Sequence, residues 1–135
     1  MNYMLLDLRI DLGGMVVRTP DVSISRTTAV LENLTQAHSD DHMLSVLRSL
    51  AERDIKNVVV DLSKIGDASL VYYALVPLLE GTAAGLRLNV RYFGIRQPTV
   101  EDVPDAFYMK MVRPKFHESL DAAVLDAATS ESTLH

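Results

Sequence analysis

The chain contains no cysteine. That excludes a disulfide framework, a thiol nucleophile and a thiolate metal site, and it is compatible with a reducing compartment. It also lacks any block of lysine and arginine: 18 acidic side chains against 13 basic ones give a formal charge of -5. The basic footprint that nucleic-acid binding requires is therefore missing. The longest apolar runs are strand-sized, and Met1-Asn2-Tyr3 has neither the basic start nor the long apolar stretch of a signal peptide. A cytoplasmic protein with no membrane insertion is expected. There is no Gly-x-Ser-x-Gly elbow for a nucleophile and no cofactor glycine motif; Gly81 and Gly85 flank the end of a candidate helix instead of opening one, which argues against a dinucleotide site. Internal repeats, low-complexity tracts and interdomain linkers are absent too, so 135 residues are expected to form one domain around a single core.

What is present is concentrated between Asn57 and Arg91. Asn57-Val-Val-Val-Asp61 is a β-branched run too short for a helix, the pattern of a fully buried and parallel strand near the centre of a sheet. Turn formers follow through Gly66, and either Asp67 or Ser69 can cap a helix from Leu70 to Ala84. Gly85 is expected to close it, with Leu86 to Phe93 returning as a strand. Pro77 falls well inside this helix, where it removes an amide donor and crowds the carbonyl four residues back; a kink or a late start is expected there.

Upstream, Met4 to Ile10 alternates Leu6, Leu8 and Ile10 with Asp7 and Arg9, the period of a strand with one wet face. Gly13-Gly14 supplies a turn, and Met15 to Thr19 returns, so the chain opens with a hairpin. From Ser25 the spacing of Val30, Leu31 and Leu34 reads as helical. Ser39-Asp40-Asp41 can cap a second helix carrying Met43, Leu44, Val46, Leu47 and Leu50. Pro104 suits the first turn of a short helix running to Met111. Residues 1–128 then make up the domain, and the small polar tail 129–135 is expected to fray.

Val58-Val59-Val60-Asp61-Leu62-Ser63, followed by Asp67-Ala68-Ser69-Leu70, resembles the STAS domain family, whose members include anti-sigma factor antagonists and the tails of sulfate transporters. The likeness continues from Gly94 to Phe116, as a loop, a helix and a short strand, and through Ser119 to Ala127 as a closing helix. The resemblance implies an α/β fold with a mixed sheet of four or five strands, opened by an antiparallel hairpin and covered by helices mainly on one face. It also implies a non-catalytic regulatory module without a cofactor, whose partner is an anti-sigma factor, a related switch kinase or another STAS subunit, with a homodimer as a further possibility. The regulatory loop carried over comprises Gly66, Asp67, Ala68, Ser69 and Leu70, with Asp21 in Thr19-Pro20-Asp21-Val22 matching the family's acidic turn. Phosphorylation-controlled relatives carry the acceptor hydroxyl directly after the motif's aspartate, and here that position is Ala68. Leu70 takes the place of the family glycine.

Other chemistries compete for the same residues. Asp67 and Ser69 can be plain helix caps. His38 and His42, four apart, would share a face of a continuous helix, but a zinc site needs three or four fixed ligands, and a solvated turn is the expectation. Ser69, His117 and Asp67 are the residue types of a hydrolase or transferase, which would require them to converge. A STAS-type domain binding a small molecule or an anion near the same loop is the other alternative. Among the aromatic residues, Tyr72 or Tyr73 and Tyr108 are expected to reach the surface, because neighbours on a helix cannot all point inward.

Overall fold

The computed structural model describes residues 3–5, 13–20, 27–35 and 38–133. Along them run β1 (Tyr3–Leu5), β2 (Val16–Pro20), β3 (Thr28–Glu32), α1 (Asp40–Glu52), β4 (Asn57–Asp61), α2 (Ala68–Leu86), β5 (Asn89–Phe93), α3 (Ala106–Met111), β6 (Phe116–His117) and α4 (Leu120–Thr133). The strands form one sheet in the order β1-β2-β3-β4-β5-β6. The first two pairings are antiparallel and the remaining three parallel. The α/β class, the mixed sheet and the opening hairpin are those expected, and the two-residue β6 brings the strand count to six.

The central strands carry apolar side chains on both faces because helices cover both. Ala29, Leu31, Val58, Val60, Val90 and Tyr92 join the larger core beneath α1, α2 and α3, whereas Val30 and Val59 meet Ala123, Val124 and Ala127 of α4. Three helices thus share one face and α4 has the other. The covering of both faces explains a misreading. The segment from Ser25, expected to be helical, is the strand β3 over Thr28–Glu32, with Thr28 through Leu31 fully buried. A short apolar run buried on both sides has no alternation, and its periodicity does not distinguish strand from helix. Asp21 lies outside the described residues.

The helix boundaries follow local chemistry. Ser39 caps α1, its Oγ accepting from His42 N at 3.1 Å, and Met43, Val46, Leu47 and Leu50 face the core as their spacing requires. α2 does not end at Gly85: it runs to Leu86 and closes on Arg87, which adopts the left-handed conformation at φ 59° without a glycine. Pro77 is accommodated by a wide turn over Val71–Leu75, where the Val76 amide donates to the Val71 carbonyl five residues back. Such π-type widening just ahead of a proline eases the crowding of its ring and its missing N–H. Pro104 is not helical. Asp105 caps α3 by accepting from Tyr108 N at 2.9 Å, which places Pro104 one residue before the cap. α4 continues through Thr133, past Thr129, whose hydroxyl donates to the Leu125 carbonyl at 2.8 Å.

One polar line crosses the interior. Thr28, Asn57 and Asn89 are in register across β3, β4 and β5; Asn57 Nδ2 donates to Thr28 Oγ1 at 3.2 Å, and Asn89 Nδ2 donates to Asn57 Oδ1 at 3.0 Å. Asn57 is fully buried. Asn57→Ala would remove both of these hydrogen bonds and leave a small void, so it is expected to lower the unfolding free energy by about 2 kcal/mol, measured by urea denaturation. A variant as stable as the parent would show that this line does not hold the strands.

Candidate functional site

The loop between β4 and α2 leaves the carboxyl end of a central parallel strand, where α/β sheets commonly place their binding groups. Its entry is tightly fixed. Asp61 Oδ1 accepts from Ser63 N at 2.9 Å, Leu62 N donates to the Phe93 carbonyl at 2.9 Å, and Ile65 N closes a turn on the Leu62 carbonyl at 3.1 Å. The side chains of Leu62 and Ile65 are buried, which anchors the loop from below.

Its exit is the start of α2. Asp67 is the N-cap, its Oδ1 accepting from Leu70 N at 3.2 Å. Gly66, Asp67 and Ser69 are exposed, Ala68 is half-buried against the core, and Leu70 is 37% exposed. The expected loop residues from Gly66 to Leu70 therefore lie together on one surface, and capping accounts for Asp67 in part. Leu70 also lines a cleft of about 350 Å³ between the beginnings of α1 and α2, opposite Leu34, His38, Ser39, Met43 and Ile65.

The outward side of α2 extends this surface. By length and composition alone, the helix is apolar enough to cross a membrane, yet only 28% of its most apolar stretch is buried. Val71, Tyr72, Val76, Leu79 and Ala83 pack onto the sheet, while Leu70, Tyr73, Ala74, Pro77, Gly81 and Ala84 look outward or stand at the rim. Glu80 is the single charged residue of the helix, and it pairs with Lys115 at 2.8 Å. Tyr72 is buried and donates to the Arg96 carbonyl at 2.7 Å, whereas Tyr73 is 58% exposed with its hydroxyl donating to the Asp102 carbonyl. Neighbouring tyrosines thus divide between core and surface, as a helix requires.

The hydrolase residue types do not converge. Ser69 is exposed on the face of the sheet covered by α2, whereas the His117 imidazole is bonded through Nε2 to Asp126 Oδ2 of α4 at 2.8 Å, on the opposite face. Arg91 Nε reaches the same carboxylate oxygen at 2.7 Å. Burial pushes the Asp126 carboxyl up, but the hydrogen bonds from Arg91 and His117 outweigh it and hold the group below the usual carboxylate range.

The two histidines near α1 are not a solvated turn. His38 precedes the helix and ties two segments together: its Nδ1 accepts from Thr35 N at 3.0 Å, which leaves the proton on Nε2 to donate to the Gly13 carbonyl at 2.5 Å. The His42 ring lies beside it, tilted by 36° with 5.8 Å between ring centroids. Among the described residues, no group of three metal-ligating side chains forms there or elsewhere.

Gly94 is the positioning residue that sequence reasoning missed. It has φ +90°, and a Cβ there would lie 2.6 Å from Asp61 Oδ1 and 2.7 Å from Ser63 N. No local pattern announces such a contact, because it is made between two loops far apart in the chain. Gly94→Ala combines left-handed strain with a clash against backbone, so it is expected to cost about 2 kcal/mol or more and to displace the Ser63 to Asp67 loop. Thermal melts measure the first effect and amide chemical shifts the second; a variant with unchanged shifts from Ser63 to Leu70 would contradict the role. Compared with family models, curated proteins and solved structures, the chain matches none.

Proposed function

We propose that this chain is a STAS-like regulatory module that acts by binding a protein partner through the start of α2, without catalysing a reaction and without a cofactor. The observation that carries the proposal is that Leu70, 37% exposed, and Tyr73, 58% exposed, stand at the same helix start as the exposed Asp67 and Ser69, on a loop anchored from below. Exposed apolar groups of this kind, continuous with an uncharged helix face, mark interaction surfaces. The partner class suggested by the STAS resemblance is an anti-sigma factor or related switch kinase, with another STAS subunit, including a second copy of this chain, as the alternative. Ala68 in place of an acceptor hydroxyl favours a module that is not switched by phosphorylation at that position. A cytoplasmic location belongs to the same reading, and its support is the cysteine-free sequence.

Leu70→Asp replaces a side chain that is 37% exposed and otherwise packed into the cleft, so the fold is expected to survive with a stability loss of about 1–2 kcal/mol. Binding to an anti-sigma-type kinase is expected to fall by about tenfold or more, because an apolar contact near an interface centre contributes that much. Asp67→Ala is expected to weaken binding less while costing about 1 kcal/mol of stability through the lost cap. Circular dichroism melts and calorimetric titration of both variants separate the effects. A Leu70→Asp protein that stays folded and binds as tightly as the parent would remove this loop from the proposed function.

A further inference from the structure

A second cleft opens on the other side of α2, where α3 and its preceding loop lean against it. Its volume is about 520 Å³, within the range of small-molecule sites. The aromatic rings of Tyr73, Phe107 and Tyr108 line it together with Pro77, and among the described residues the charged groups on its walls are two carboxylates, Glu80 and Asp105. Phe107, one of the lining residues, is 71% exposed. Lys115 occupies Glu80. Asp105 uses one oxygen to cap α3 and, among the described residues, pairs with no lysine or arginine.

Aromatic faces carry negative quadrupoles, and a cation held over them beside a carboxylate is attracted by both. The same walls repel an anion and give a neutral molecule only its apolar contact. We propose that the cleft between α2 and α3 binds a small organic cation, a protonated or quaternary amine on an apolar body. The volume favours a free molecule over a single side chain, since an ammonium head alone would fill a small part of it. This site is separate from the loop at the start of α2, and the two share only Tyr73 at their border.

The proposal is tested by titrating the full chain with phenethyltrimethylammonium, 2-phenylethanol and 3-phenylpropionate while following its NMR spectrum. The ammonium is expected to shift the signals of Tyr73, Asp105, Phe107 and Tyr108 saturably and to bind about tenfold more tightly than the alcohol, with the carboxylate weakest. Asp105→Asn keeps a good helix cap while removing the charge. It is expected to weaken the ammonium by about fivefold and leave the alcohol unchanged, a loss in the range of a partly exposed cation contact. Equal binding of the three probes, an ammonium that binds Asp105→Asn as well as the parent, or no saturable shift at these residues would each overturn the assignment.

Discussion

The polar line through Thr28, Asn57 and Asn89 is the constraint on which the rest of the architecture depends. Strands buried on both faces present valine after valine to either side, so a slip of one residue would exchange Val58, Val59 and Val60 for one another at little apolar cost. A slip would, however, leave Asn57 without its partners in the interior, which costs far more than it could regain from packing. The register fixed there propagates along the strands. Asp61 is set opposite Phe93, Leu62 N meets the Phe93 carbonyl, and Gly94 comes to lie beneath Ser63. The loop that presents Asp67, Ser69 and Leu70 thus inherits its position from hydrogen bonds at the opposite end of the same strand.

α2 illustrates how one element can serve core and surface together. A helix apolar around its whole circumference is ordinarily buried on all sides. Here one side meets the sheet, the other stays open, and clefts run along both margins, one against α1 and one against α3. The wide turn ahead of Pro77 keeps the helix continuous, so that Leu70 and Tyr73 at its start and Pro77 and Gly81 beyond belong to one uninterrupted face. The loop after β5 buttresses it: Arg96 pairs with Asp102 through both oxygens, and the two tyrosines of α2 bond to the carbonyls of those residues.

What could be read in the sequence was what local chemistry decides. The β-branched run at Asn57 and the caps at Ser39 and Asp67 act within a few residues and have the expected effect, whereas the conflict at Pro77, legible as such, is met by a wide turn in a continuous helix and not by a kink or a late start. β3 was illegible as a strand because α4 covers its second face, a fact located ninety residues away. The same holds for His38, whose contact with Gly13 spans 25 positions, and for Gly94, whose need for hydrogen at Cα comes from another loop. Of the candidate site, the placing of Gly66 to Leu70 in the loop and first turn at the start of α2 was legible. The exposure of Leu70 was not, since an apolar residue at a helix start can face either way until the helix is docked.

The central claim is that the open side of α2, and not another face of the domain, is where a protein partner sits. A photo-reactive amino acid placed at Tyr73 on this face, and in a parallel variant at Leu125, which is 63% exposed on α4 across the sheet, compares the two faces directly. Irradiation in the native cell is predicted to give one discrete cross-linked protein from position 73 and none from position 125. The same products from both positions, or a product from 125 alone, would contradict the account.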